Sequence, residues 1–130
     1  MSAGYIAGLR NVKMDAITTF IGNAGKLVIY SGARPATGGA PGTVLATFTL
    51  GTPFAGAASS GVLTGNPPAD VAASATGTAS WARIFKADAS TICMDLGVGT
   101  SGQEVILNSV GLTSGVNSSI TAITLTDANT

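Results

Sequence analysis

The first 25 residues carry apolar side chains at the spacing of an amphipathic helix. Their pattern predicts a helix over 5–21, because apolar residues recur every three or four positions. Charged positions at 10, 13 and 15 are expected on the wetter side, and the Gly-rich segment 22–25 is expected to end the helix. The apolar stripe consists of Leu9, Val12, Ala16 and Phe20, widened by Met14, Ile17 and Ile21.

From residue 26 onward the pattern changes to short runs rich in Val, Ile and Thr, separated by Gly and Pro. The run 119–126 is apolar on both faces, which predicts a strand that is covered on both sides. One helix followed by many short strands predicts a mainly β protein: a helix or arm over 1–24, then a single jelly-roll-like antiparallel β-sandwich over 25–130. Strands are expected at 26–31, 43–50, 77–86, 91–98, 104–109 and 119–126, with shorter pieces near 61–64 and 110–113.

Two long loops interrupt this pattern. The loop over 32–43 consists almost wholly of Gly, Pro, Ala and Thr, and Arg34 is its one charge. The segment 51–76 is rich in Ala, Ser, Gly and Pro and is predicted to cross an edge of the sandwich, whereas 87–90 is predicted to be a hairpin tip. Because such loops have few bulky side chains, their backbone can approach a partner closely. The predicted edge strands carry few charges, which favours edges that partners cover.

The composition is unusually poor in charge. Charged residues make up 9 % of the chain, whereas an ordinary soluble domain has about 25 %. A surface of Ser, Thr, Ala and Gly suits a protein covered by its neighbours, and it also suits a secreted surface protein. The net charge is zero and no basic run exists, so neither nucleic-acid binding nor polybasic membrane contact is expected. No apolar stretch approaches a membrane span, and the absence of a signal peptide favours use without export.

The chain offers little catalytic chemistry. It contains no His, which excludes a Ser-His-Asp triad and every His-bearing metal site. The run GVGTSG at 97–102 matches a dinucleotide-binding pattern, but a strand-like segment follows it where a helix is required. The acidic residues are scattered, although Asp95 and Glu104 would approach each other if their strands pair. We therefore expect no enzyme activity, no cofactor and no metal site.

Aromatic residues leave one alternative open. Trp81, Tyr30 and Phe85 would suit a sugar-stacking platform, as in a carbohydrate-binding module, although a lone Trp in a β-sandwich more often anchors the core. Arg83 shares a strand face with Trp81. Its charge suggests either a partly buried face or an ion pair across a subunit boundary.

Several segments together resemble a family of small virion structural proteins from tailed bacteriophages and prophages. They read, in order, LRNxxxDAITTxI, GKLxIYSGxRPATGG, GTxLATxTL, GTASWARI and a late ITLTDxNT, and lie within 9–21, 25–50, 77–84 and 120–130. The resemblance implies a phage particle component, and it favours head decoration (a cement protein) over a tail or baseplate role. Members are commonly small β-sandwiches bound as oligomers across capsomer junctions, and the resemblance implies no catalytic residue.

The expected partners follow from this resemblance. They are the major capsid protein and the protein itself, as a homodimer or homotrimer, on the outside of a capsid whose components are made in the host cytoplasm. Contacts are expected from the N-terminal helix and from the two long loops. The candidate protein-contact residues are Arg10, Arg34, Pro35, Phe54, Pro67, Pro68 and Arg83.

Overall fold

The structure of the protein, a computed structural model, describes residues 4–126. Strands make up 41 % of it and helix 12 %, so the predicted mainly β class with one N-terminal helix is confirmed. The strands form a curled multi-stranded sheet, which is consistent with the predicted β-sandwich.

One helix and eleven strands follow one another in the described range, close to the predicted segments. They are α1 (Ala7–Ile21), β1 (Lys26–Tyr30), β2 (Val44–Thr49), β3 (Val62–Gly65), β4 (Val71–Ala72), β5 (Gly77–Thr78), β6 (Trp81–Phe85), β7 (Ile92–Gly99), β8 (Val105–Leu107), β9 (Gly111–Leu112), β10 (Asn117–Ser118) and β11 (Ile120–Thr126). Helix α1 ends at Ile21, directly before the predicted Gly-rich stop, and Gly22 caps it with a positive φ of 73° and an amide that donates to Thr18 O.

The main sheet has seven strands in the order β2-β1-β6-β7-β8-β11-β3. Its neighbouring pairs are antiparallel, except that β7 and β8 run parallel over two residue pairs. The predicted strand over 77–86 is divided, because β5 pairs with β9 whereas β6 pairs with β1 and β7. The pairing strand changes between two consecutive residues. The Ala79 amide donates to Val110 O, beside β9, and the Ser80 amide donates to Tyr30 O, in β1.

Two apolar clusters lie on opposite faces of β1 and β6, because successive side chains of a strand point to opposite sides. On one face, the side chains of β1 and β6 that enter the main core are Leu27, Ile29, Ala82 and Ile84. Large side chains from other elements complete this core, among them Phe48, Phe54, Leu63 and Ile123. The other set forms a smaller cluster of Val28, Tyr30, Trp81 and Phe85. All five residues of β6 are therefore buried.

Strand β11 is covered on one face only, which corrects the prediction of cover on both faces. Its pairing with β8 shifts register between Ile120 and Ala122. Ile120 consequently joins Ile123 and Leu125 in the main core, although simple alternation would separate them. Thr124 remains exposed on the other face. A bulge of this kind is invisible to a period-two reading of the sequence.

The chain itself covers parts of both sheet edges, where the low charge of the edges had led us to expect cover by partners. At the β3 edge, Ala55 forms a bridge with Gly65. At the β2 edge, the Ser74 amide donates to Leu45 O at 2.8 Å. Both covering residues belong to the segment 51–76, so at these points it satisfies strand edges that would otherwise recruit another chain.

Candidate functional site

The predicted apolar stripe of α1 is divided: its principal residues face outward, whereas Met14 and Ile21, which were expected to widen it, are buried. Val12 is 64 % exposed and Phe20 is 51 % exposed, and Leu9 and Ala16 are exposed as well. The expectation that the charged positions lie on the wetter side holds for Lys13 but is corrected for Arg10 and Asp15, which are half-buried. We call the exposed apolar surface of this segment the outer helix face, which consists of Tyr5, Ile6, Leu9, Val12, Ala16 and Phe20.

Polar side chains help to fix this orientation. Asp15 Oδ1 accepts a hydrogen bond from the Ala58 amide at 2.7 Å, and Asn11 Oδ1 accepts one from the Gly61 amide at 2.8 Å. These acceptors satisfy two amides of the segment 51–76 that would otherwise lose partners on burial. The side of α1 that carries Asn11 and Asp15 can therefore pack against the body of the protein. That i, i+4 pair of acceptors is the signal that apolar periodicity alone overlooks.

Two buried apolar side chains complete the inner face of α1. Met14 is 6 % exposed and Ile21 is 2 % exposed, and both belong to the main core. Arg10, a predicted contact residue, is half-buried on the same side. Its guanidinium lies against Gly61, so closely that a Cβ added at Gly61 would lie within 2.8 Å of it. Arg10 therefore makes an intramolecular contact with Gly61.

A lysine lies beside an aromatic ring near each end of the outer helix face. Lys13 Nζ lies 4.2 Å from the Tyr5 ring centroid, and Lys86 Nζ lies 4.2 Å from the Phe20 ring centroid. Each distance is within the range of a cation–π contact. Asp15, the acidic residue of α1, is half-buried and is bound to the Ala58 amide on the inner side. Two lysines therefore lie at the rim of the outer helix face, each against an aromatic ring.

The positive charge of Arg83, predicted on the same strand face as Trp81, is paired with an acidic residue of the same chain. Arg83 is 2 % exposed, and its Nε lies 2.7 Å from Asp95 Oδ1 on the neighbouring strand. Both expectations for Arg83 are therefore corrected: its strand face is fully buried, not partly buried, and its ion-pair partner Asp95 lies in the same chain, not in another subunit. The hydrogen bond that Arg83 donates to Asp95 is the main cause that raises the pKa of the Arg83 guanidinium, so the residue stays charged.

The same pair attaches the loop over 32–43 to the sheet. Arg83 donates to Gly39 O at 2.7 Å, and the Gly38 amide donates to Asp95 Oδ2 at 3.0 Å. Arg34, the predicted handle for a partner, donates to Asp95 O at 2.9 Å although its side chain is largely exposed. The loop is therefore a bound structural element, and Arg34 has a role within the chain.

The aromatic residues are inside the protein, so they provide no sugar-stacking platform. Trp81 is 0 % exposed and stacks on Tyr30 with ring centroids 4.5 Å apart. Tyr30 and Phe85 are also buried. Burial is the main cause that raises the pKa of the Tyr30 hydroxyl. Trp81 is thus a core anchor, and the Arg83 guanidinium lies 5.0 Å from its ring centroid.

The remaining predicted contact residues divide by exposure. Phe54 is 0 % exposed and belongs to the main core, and Pro68 is also buried. Phe54, Pro68 and Arg83 are therefore inaccessible to a partner in this structure, because their side chains lie inside the fold. Pro67 is exposed and Pro35 is half-buried, so these two remain accessible.

A cavity of about 600 Å³ lies beside the inner side of α1. Its walls combine methionine and aliphatic side chains from α1, β7 and β11 with polar groups from the link before β8. The lining residues are Lys13, Met14, Ile17, Met94, Gly102, Gln103, Glu104, Thr124, Leu125 and Thr126. None of the predicted contact residues lies in it.

The two acids considered for paired chemistry have separate partners. Asp95 is bound by Arg83, whereas Glu104 Oε1 accepts from the Gly97 amide at 2.9 Å. Asp95 and Glu104 therefore do not form a free pair of carboxylates. Within residues 4–126, no group of three His, Cys, Asp or Glu side chains is placed to hold a metal ion.

Comparisons with known proteins give no match to a family model, to a curated protein or to a solved structure. Among the described residues, no helix is both long enough and apolar enough to cross a membrane. The outer helix face is therefore judged on its own geometry and charge.

Proposed function

We propose that this protein is a phage capsid decoration protein, which binds the outside of the shell formed by the major capsid protein and stabilises it. The role is structural and not catalytic. The resemblance described above motivates the proposal, and the outer helix face supports it most directly. Self-association as a homodimer or homotrimer and a place on the capsid surface belong to the same proposal.

The outer helix face concentrates exposed apolar area in one place. Among residues 4–126, eight large hydrophobic side chains are exposed, and five of them (Tyr5, Ile6, Leu9, Val12 and Phe20) belong to this face. Scattered apolar residues are normal on a protein surface, whereas a contiguous patch marks an interaction site. The face is therefore the best candidate for contact with another protein.

The proposed mechanism is burial of apolar surface between neighbouring subunits. Covering one large apolar side chain completely is worth about 1.5–3 kcal/mol. A single copy gains only part of this, since association also costs translational and rotational freedom. Many copies that each bridge neighbouring capsid subunits would nevertheless add up to a large stabilisation of the shell. The low charge of 9 % favours such contacts, because few charges must be desolvated.

A tail or baseplate component of the same kind of phage would use similar contacts, so copy number separates the two roles. The decisive measurement is the amount of this protein relative to the major capsid protein in purified virions. Decoration requires hundreds of copies per particle and binding to expanded empty heads. A handful of copies per particle would reject decoration in favour of the tail, and absence from virions would reject both.

A further inference from the structure

We infer that the open part of the β2 edge, which consists of Thr47 and Thr49, pairs with the same edge of a second copy of this chain. The two main sheets would then join across a two-fold axis. The inference deepens the self-association in the proposed function and rests on that function for the particle in which the dimer serves. It combines the backbone groups that β2 leaves unpaired with the chemistry of the residues beside them.

Strand β2 directs the backbone groups of two residues away from β1. The Leu50 amide donates to Gly25 O, and this pair continues the antiparallel register of β1 and β2. In such a register, successive residues turn their N–H and C=O groups alternately toward the neighbouring strand and away from it. Thr47 and Thr49 therefore direct theirs outward. Strand β2 is the last strand of its sheet, and among residues 4–126 no backbone group bonds to either threonine on that side.

The sequence of β2 does not protect this open edge against pairing. Charged side chains, proline and bulges are the usual protection of a free strand edge. Strand β2 contains neither a charged residue nor a proline, and its pairing with β1 shifts register only at the other end, beside Tyr30. The chain covers that end itself, because Leu45 O accepts from the Ser74 amide. The open edge is thereby limited to Thr47 and Thr49, which are both exposed.

Two such edges are complementary to each other. In an antiparallel pair centred on Phe48, Thr47 of each copy lies opposite Thr49 of the other. Each of these threonine pairs can exchange both of its N–H···O bonds, so every outward backbone group of the open edge is satisfied. The Phe48 side chain is buried in the main core and does not obstruct the axis.

A second copy meets this edge at a lower entropic cost than a flexible segment of another protein. A flexible segment must first be ordered into a strand, and only two residues of the edge are open to offset that cost. Strand β2 of a second copy is already ordered by its pairing with β1. The second copy is therefore the occupant that the open edge favours.

The lysine beside the open edge does not prevent this pairing. Lys26 Nζ donates to Thr49 Oγ1 at 2.8 Å. Because Thr49 lies opposite Thr47 of the second copy, and not opposite the second copy's Thr49, the two Lys26 ammonium groups are staggered along the strands. Like charges are unfavourable chiefly when they lie directly opposite each other.

The test compares charge patterns at the two threonines by sedimentation over a concentration series. The wild-type protein is expected to dimerise. Thr47→Glu/Thr49→Glu places like charges opposite each other in both threonine pairs and should weaken dimerisation by about tenfold or more. Thr47→Lys/Thr49→Glu places opposite charges in the same pairs and should restore the dimer. Thr100→Glu/Thr113→Glu changes the net charge as the first variant does, at two exposed positions outside the strands, and should leave the dimer unchanged.

Hydrogen exchange of the wild-type protein tests the same pairing without a substitution. The Thr47 and Thr49 amides should exchange more slowly at protein concentrations that favour the dimer, because each amide then donates to the second copy. The amide of Thr113, which lies outside the strands, should exchange at the same rate at all concentrations. If either charge variant fails to fold, this measurement decides.

Several results would overturn the inference. A wild-type protein that stays monomeric throughout the series would do so, and so would a trimer, because pairing across a two-fold axis closes at two copies. A dimer that Thr47→Glu/Thr49→Glu leaves intact, or that a folded Thr47→Lys/Thr49→Glu does not restore, would reject this edge. Slower exchange of the two threonine amides on empty heads alone would make a strand of the capsid protein the occupant.

The outcomes for the dimer and for the proposed function are separable. If the dimer forms through β2 but purified virions lack the protein, the proposed function fails and the pairing stands. If virions carry hundreds of copies but the wild-type protein stays monomeric, only the pairing fails.

Discussion

Arg83 and Asp95 form a buried ion pair between β6 and β7, with Arg83 Nε 2.7 Å from Asp95 Oδ1. A second contact joins an Arg83 terminal nitrogen to Asp95 Oδ2 at 3.2 Å, so the pair is bidentate. Both groups also bind the loop over 32–43, through Gly39 O and the Gly38 amide. A loop of small residues is thereby held by two charges that are themselves almost inaccessible to water.

Removing one charge of this pair is expected to destabilise the fold strongly. Asp95→Asn leaves the Arg83 guanidinium buried without its counter-charge, and breaking a buried pair costs about 3–5 kcal/mol. Denaturant unfolding measures the change. The double variant Arg83→Met/Asp95→Leu should be less destabilised, because no charge remains buried. A double variant as unstable as Asp95→Asn would show that the loop contacts, and not the unpaired charge, dominate the loss.

Acid is expected to weaken the same pair. Burial by itself would raise the pKa of the Asp95 carboxyl, but the hydrogen bonds from Arg83 and Gly38 outweigh it and hold the pKa below its usual range. The stabilisation is therefore complete above the ordinary Asp pKa of about 3.9 and is lost as pH falls through the lower folded-state pKa. We expect the unfolding free energy of Asp95→Asn to depend less steeply on pH below about 4 than that of the wild type.

A second carboxyl provides the control for this pH experiment. Asp88 accepts hydrogen bonds from the Thr91 hydroxyl and from the Thr91 and Ser90 amides, in the predicted turn over 87–90. These bonds lower the pKa of Asp88 to about 2. Asp88→Asn removes this exposed group, so its share of the acid dependence can be subtracted. Identical pH profiles for Asp95→Asn and the wild type would contradict the role given to Asp95.

Arg34→Ala is expected to loosen the loop over 32–43 and to leave the rest of the fold intact. Its hydrogen bond to Asp95 O is partly exposed, and a bond of this kind contributes about 0.5–1.5 kcal/mol. Hydrogen exchange should become faster in the loop and remain unchanged in β1 and β6. If Arg34 acts instead as the protein-contact residue that the sequence predicts, the variant should show unchanged loop exchange together with weaker particle binding.

The outer helix face should be needed for binding and not for folding. Val12→Glu places a charge on a side chain that is already 64 % exposed, so the melting temperature should change little while binding to empty heads is lost. Val116→Glu is the matched control, because Val116 is 58 % exposed on a different surface. Equal binding by the two variants would reject the outer helix face as the contact. A large drop in melting temperature for Val12→Glu would show that Val12 supports the fold.

Two glycines near the ends of α1 should respond to alanine with opposite signs. A Cβ at Gly8 meets nothing within 4 Å, so Gly8→Ala is expected to stabilise the helix by up to about 1 kcal/mol. A Cβ at Gly25 would lie 2.7 Å from an Ile21 methyl carbon and 2.9 Å from Phe85 O, so Gly25→Ala should destabilise the protein. Thermal unfolding of both variants tests this close approach. Tolerance of alanine at Gly25 would contradict the packing of the helix end on β6.

The sequence by itself determined the local structure. Apolar spacing and the Gly-rich stop located α1, and the Val-, Ile- and Thr-rich runs located the principal strands, because both signals depend on neighbours along the chain. Alternation along β6 also placed Trp81 and Arg83 on one face, as the structure has them. The candidate site was predicted only in part: the stripe was found, but Phe54 and Pro68 were assigned to a contact surface although they are buried.

Only the tertiary structure decided which way these elements face and what satisfies their polar groups. The orientation of α1 depends on the Ala58 and Gly61 amides, which lie more than 40 residues away in sequence from the Asp15 and Asn11 side chains that bind them. Arg83 found its counter-charge across a strand pair, in a register that no local pattern specifies. Apolar periodicity shows that a helix has an apolar side; whether that side is buried depends on all the groups, near and far in sequence, that compete for the interior.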